Sequence, residues 1–128
     1  MIKLLIADDL LTIRFSLMMV FRGKPGYSVF TAASGEETLK VIEKENPDLV
    51  LLDIVLPDIS GWEIVRRLKE KNSPVRIIFI TITGSVRDEE LVERIKASGA
   101  RGLIAKPLEV HHLEDRIKEL VPELWDSS

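Results

Sequence analysis

Leu49-Val50-Leu51-Leu52-Asp53 is a short, unbroken apolar run that stops on a carboxylate. Runs of this length without polar alternation read as strands buried on both faces, the kind found in parallel sheets. A second run, Leu4-Leu5-Ile6-Ala7, stops on two more carboxylates, Asp8-Asp9. Side by side, the two strands would bring three acids to one edge of a sheet. Such a cluster is costly unless a cation joins it. It is the strongest pointer to chemistry in the chain.

Outward from these runs, strand-like and helix-like patterns alternate. Residues 3–7 are the first strand, and residues 10–22 have helical period. Tyr27 to Ala32 is strand-like. Ser34 with Glu37 is a capping-box pattern opening a helix through about residue 45, with Leu39 and Ile42 at helix spacing and Pro47 at its exit. The strand Leu49–Leu52 follows, then a loop containing Pro57. Ser60-Gly61-Trp62-Glu63 opens another helix, with Ile64, Val65 and Leu68 on one face. Val75–Ile82 is a strand rich in β-branched residues. Ser85 or Asp88 could cap a helix carrying Leu91, Val92 and Ile95, and Gly99 suits its C-terminal cap. Leu103–Ala105 is a short strand. The last helix carries Leu113, Ile117, Leu120 and Val121 and is expected to end near Leu124.

Five strands alternating with five helices predict βαβ units: a doubly wound, five-stranded parallel sheet with helices on both faces. In such sheets functional groups collect at the carboxyl ends of strands, near the switch in strand order. Asp8, Asp9, Asp53, Thr83 and Lys106 all fall at predicted carboxyl ends. Thr81 sits two residues before Thr83, on the same strand face.

The 128 residues are the size of one domain. A net charge of −3, with both signs interspersed, gives no basic stripe for nucleic acid. No apolar run approaches the roughly 18 residues of a membrane span, and no signal peptide is visible. The absence of Cys excludes disulfides and thiolate metal sites and fits a cytoplasmic location. The expected organisation is one domain over 1–124 with a tail over 125–128.

Three carboxylates without Cys or His suit a hard divalent cation, Mg²⁺ or Mn²⁺. A lysine adds a point charge for a phosphoryl oxygen, and a hydroxyl adds a hydrogen bond. An aspartate can itself be the nucleophile that accepts a phosphoryl group, while metal, Lys and Thr neutralise the charge in transfer.

At this point the chain resembles the receiver domains of two-component response regulators, a flavodoxin-like fold of which the chemotaxis regulators are examples. The resemblance rests on Asp8-Asp9, on Asp53 followed by Leu56-Pro57 and Ser60-Gly61, on Thr83-Gly84, on Gly99-Ala100 and on Lys106-Pro107, in that order along almost the whole chain. It implies that Asp53 is the phosphoacceptor. It also implies that Asp9, Asp53 and the backbone carbonyl of Val55 ligate Mg²⁺, with Asp8 acting through a metal-bound water. Lys106 would contact the phosphoryl group, Thr83 would be the switch hydroxyl, and Lys106-Pro107 a cis peptide. His111 and His112 are read as solvent-facing, and Trp62 and Trp125 as packing or partly exposed residues.

Two features depart from the ordinary pattern. Leu103 occupies the position where many family members carry Tyr or Phe, so readout through helix four, strand five and helix five is expected to differ. The first helix carries two apolar stripes: Ile13, Leu17, Val20 and Phe21, and Leu11, Phe15, Met18 and Met19. One must face the sheet. The other either folds under the Arg22–Gly26 loop or is a docking face, through Phe15, Met18 and Met19, for a histidine kinase or histidine phosphotransfer protein. The expected protein is a monomer or weak dimer that binds neither nucleic acid nor membrane. Two rivals are a haloacid-dehalogenase-like Mg²⁺-dependent phosphatase and a phosphorylation-independent interaction module. The phosphatase would need an acid two residues after its nucleophile, where this chain has Val55.

Overall fold

The computed structural model describes residues 1–82, 89–106 and 110–125. Its elements follow the predicted alternation: β1 (Ile2–Ala7), α1 (Leu11–Arg22), β2 (Tyr27–Ala32), α2 (Gly35–Glu45), β3 (Leu49–Asp53), α3 (Gly61–Glu70), β4 (Arg76–Ile82), α4 (Glu89–Ser98), β5 (Gly102–Lys106) and α5 (Val110–Leu120). The strands form one parallel sheet in the order β2-β1-β3-β4-β5. The chain therefore winds one way from β1 and the other way from β3. The switch in direction lies between the two strands that end in acids.

Alternation along the strands divides the core in two. Leu5, Ala7, Val50, Leu52, Ile77 and Phe79 face Ile42 of α2, Ile64, Val65 and Leu68 of α3 and Ile95 of α4. Leu4, Ile6, Leu49, Leu51, Ile78 and Ile80 face Leu17 and Phe21 of α1 and Leu113 and Ile117 of α5. This double burial is why β1 and β3 read as continuous apolar runs rather than alternating ones.

Caps set the helix limits. Ser34 Oγ accepts the Glu37 N–H at 3.1 Å, the forward half of the predicted capping box, while Glu37 Oε2 reaches one residue past the cap to accept the Ala33 N–H at 3.2 Å. Ser60 Oγ likewise accepts the Glu63 N–H. Gly99 has φ +90° and ends α4, as expected. Asn46, at φ 49°, caps α2 in the left-handed region, a role the sequence reading did not assign. Ser85 and Asp88, the candidate caps of α4, lie outside the described residues.

The last helix is shorter than expected. It stops at Leu120, and Pro122–Leu124 form a single 3-10 turn. Proline disfavours a helical conformation in the residue before it, and Val121 is accordingly at φ −133°, ψ 59°. Val121 is nevertheless buried in the core. Its place in the apolar stripe records burial, not helix.

In α1, Leu17 and Phe21 are buried, and Ile13 and Val20 pack beside them. Met18 also leans on this core. Leu11, Phe15 and Met19 stand 68%, 56% and 56% exposed. The second stripe is thus an open face from which Met18 is partly withdrawn.

Candidate functional site

The site is built where β1 and β3 end. Their pairing sets Ala7 level with Leu52, which brings Asp8 and Asp53, each one residue further on, to the same level. Asp8, Asp9 and Asp53 each offer a carboxylate oxygen, and these atoms lie within 4.8 Å of one another. Asp8 is fully buried, Asp53 is 6% exposed and Asp9 is exposed. Two carboxylates therefore stand withdrawn from water beside a third that faces it, an arrangement favoured by a bound cation.

Local hydrogen bonds fix these acids. Asp8 Oδ1 accepts the Leu10 N–H at 2.9 Å, which turns the chain into α1. The Asp8 N–H donates to the Ala32 carbonyl at 3.1 Å, tying the acid pair to the end of β2. Arg14, one turn into α1, reaches back so that Nη1 donates to the Asp8 carbonyl at 2.7 Å. Asp53 Oδ1 accepts the Val55 N–H at 3.1 Å, so the residue expected to ligate through its carbonyl is folded back towards the acceptor.

The loop from Ile54 to Ser60 is pinned at its end and in its middle. The Gly61 N–H donates to the Ile54 carbonyl at 2.7 Å. A Cβ at Gly61 would stand 2.8 Å from the Asp53 carbonyl oxygen and 3.0 Å from Ile54 Cα and from the Phe79 ring. Only glycine lets α3 begin so close under β3. In the middle of the loop Asp58 accepts the Gly35 N–H at 2.7 Å and the Glu36 N–H at 2.9 Å, both at the start of α2. Those amides, Glu36 first and then Gly35, hold the Asp58 carboxyl below its ordinary value.

The sequence-predicted residues are distributed as follows. Asp8, Asp9, Asp53 and Val55 are brought together. Lys106 ends β5, level with Ile82 of β4. Thr83, Gly84 and Pro107 lie outside the described residues. His112 is exposed, and Trp62 and Trp125 are half-buried, as expected. Leu103 is half-buried and lines a recess of about 270 Å³ with Val92, Ile95, Ala100, Arg116 and Leu120. Arg14 and Asp58 were not singled out from the sequence. Both act on backbone groups brought near by the fold, and no spacing motif announces such contacts.

Comparison with known proteins gives a consistent likeness. A family model described as the response regulator receiver domain matches residues 4–118. The chain is 38% identical to sporulation initiation phosphotransferase F of Bacillus subtilis over 120 residues, which cover 94% of each protein. It is 32% identical to the alkaline phosphatase synthesis transcriptional regulatory protein PhoP of the same organism, over 93% of the chain but 48% of that protein. The chain thus spans nearly all of one curated relative and about half of the other. Among solved structures, the chemotaxis response regulator CheY4 of Vibrio cholerae superposes with a TM-score of 0.83 at 28% identity, covering 94% of this chain and 98% of that one.

Proposed function

The chain belongs to the response regulator receiver domain family, a phosphoacceptor signalling domain of two-component systems, and on that premise we propose that Asp53 takes the phosphoryl group. A carboxylate oxygen of Asp53 attacks the phosphorus of a phosphohistidine. The new P–O bond forms as the P–N bond breaks, and the electron pair stays on the imidazole nitrogen. An ionised carboxylate has no proton to lose, so no general base is needed. The observation that carries this reading is the convergence of Asp8, Asp9 and Asp53 at the β1/β3 switch.

The donor set fits Mg²⁺ or Mn²⁺, since every side chain in it is a carboxylate. Asp9, Asp53 and the Val55 carbonyl would hold the ion, with Asp8 holding one of its waters. Bound there, Mg²⁺ supplies positive charge against the phosphoryl oxygens. Lys106 complements the same charge, and the Thr83 hydroxyl donates to a phosphoryl oxygen, shifting a pre-existing equilibrium towards the active surface. The domain accepts and slowly releases its own phosphoryl group and does not turn over a separate substrate.

The donor is a histidine kinase or a histidine phosphotransfer protein, and it docks on the open face of α1 formed by Leu11, Phe15 and Met19. Among the described residues no helix is long and apolar enough to cross a membrane. The mixed surface charge and the lack of Cys support a cytoplasmic location.

Incubation with acetyl phosphate and Mg²⁺ tests the assignment. One acid-stable phosphoryl adduct per chain is expected, and none with Asp53→Ala. Persistence of the adduct in that variant refutes the acceptor, and continuous phosphate release would favour a hydrolase.

A further inference from the structure

From the hydrogen bonds of the loop after β3, we infer that Asp58 is a positioning residue for the cation site. It acts by clasping that loop to the start of α2. The inference rests on the reading of Asp8, Asp9, Asp53 and the Val55 carbonyl as the Mg²⁺ site.

The loop from Ile54 to Ser60 is anchored at its ends by the strand pairing of Asp53 and by the Gly61 bond to the Ile54 carbonyl. Between these anchors lie Val55, Leu56, Pro57, Asp58, Ile59 and Ser60. The Val55 N–H donates to Asp53 and Leu56 is buried in the core, and the bidentate contact of Asp58 with the Gly35 and Glu36 amides adds the hydrogen-bonded tether to α2. Charge-assisted bonds from a carboxylate to backbone N–H groups are among the stronger kinds, and a helix start favours the negative charge. The seat is also shaped for the loop. Gly35 is buried, and a Cβ on it would stand 2.8 Å from Ile59 Cβ and 3.2 Å from Asp58 Oδ1.

The clasp spans the acid cluster. On one side, Asp8 bonds Ala32 at the end of β2, and the chain runs through Ala33 and Ser34 to Gly35. On the other side, Asp53 leads through Val55 to Asp58. Fixing Asp58 on Gly35 therefore fixes the loop of Val55 relative to the strands of Asp8 and Asp9. Mg²⁺ demands near-octahedral oxygens at about 2.0–2.1 Å, so a carbonyl on a loosened loop is a poorer ligand than one held in place.

The amides of α2 do not need Asp58 for the helix to exist. Ser34 caps the same turn through the Glu37 N–H and Glu36 is open to water, so the buried Gly35 N–H is the amide that loses its partner, at the stability cost of one unsatisfied buried donor. Removing Asp58 should therefore lower stability but spare the fold and loosen the loop.

The test is Mg²⁺ binding by calorimetry, together with the Mg²⁺ dependence of labelling by acetyl phosphate, in wild type, Asp58→Ala and Ser34→Ala. Partners that orient metal ligands change affinity by about 10–100-fold when lost. Asp58→Ala is expected at the lower end, with a Mg²⁺ requirement raised about tenfold and a labelling rate at saturating Mg²⁺ within about twofold of wild type. Ser34→Ala frays the same helix end without touching the loop and is expected to keep the wild-type requirement. A wild-type Mg²⁺ requirement in Asp58→Ala overturns the inference alone, as does an equal rise in Ser34→Ala. If wild type itself neither binds Mg²⁺ nor needs it for labelling, the reading of the acid cluster falls with it.

Discussion

Gly61 shows how much of the site is decided by single atoms. Its missing Cβ leaves room for the Asp53 carbonyl, Ile54 Cα and the Phe79 ring. None of the three is the free end of a flexible chain, so Gly61→Ala must displace backbone or a packed ring. Overpacking of this kind costs typically about 1–3 kcal/mol. The expected outcome is a lower denaturation midpoint and slower labelling of Asp53 by acetyl phosphate, measured on the same preparation. At this scale the sequence was legible where a residue's role follows from its place at the end of an apolar run. Asp8, Asp9 and Asp53 are such residues. Arg14 and Asp58 were not legible, because each spends its charge on a main-chain group that only the folded loops bring near.

Among the elements, α1 carries the most consequential surface. Leu17 and Phe21 hold it to the sheet while Leu11, Phe15 and Met19 remain open on its other side. An interface anchor whose truncation costs about 1.4 kcal/mol lowers affinity roughly tenfold. Phe15→Ser is expected to slow phosphotransfer from the partner kinase by about that factor while leaving labelling by acetyl phosphate unchanged. Equal loss in both assays would place Phe15 in the fold instead. Met18→Ser should be less selective, because Met18 leans on the core and its loss also lowers stability. The two stripes of α1 were visible in the periodicity, but which stripe turns inward depends on where the helix lands on the sheet. α4 is tied to α3 by Arg94, whose guanidinium stands 4.2 Å from the centre of the Trp62 ring, and Trp62 in turn packs on Phe79. From the sequence Trp62 read as a packing or partly exposed residue, and its cation partner was not visible, since cation–ring contacts cross between elements that sequence does not align.

For the molecule as a whole, charge at the two edges of the sheet sets the response to pH and to metal. At the amino edge, Glu123 accepts hydrogen bonds from Arg101, just before β5, and from Arg76, which opens β4. Those guanidinium groups, Arg101 first, hold the Glu123 carboxyl down at about 2 from its ordinary 4.5. A carboxyl lowered on folding contributes stability that is full above the unfolded value and is lost as pH falls through the folded one. The contribution of Glu123 should therefore be present above about pH 4.5 and fade towards pH 2. Unfolding curves of wild type and Glu123→Gln should converge as pH is lowered through that window, by a small amount because the pair is partly exposed. At the carboxyl edge, Asp8, Asp9 and Asp53 stand together, and on the proposed reading a cation bound there stabilises the fold. At about ten times its dissociation constant, Mg²⁺ should add about 1.4 kcal/mol of stability. That is a rise of roughly 4 °C in Tm, absent in Asp53→Ala.

The strand order also has a consequence for how the protein comes into being. Asp9 and Asp53 belong to different windings of the sheet, and only the pairing of β1 with β3 brings them together. This contact closes a long stretch of chain, so it is entropically late compared with the formation of any single helix. An unfinished chain, emerging from synthesis or partly unfolded, has its acids scattered. On the proposed reading of the acid cluster, competence to take up a phosphoryl group then belongs to copies in which β1 and β3 have paired.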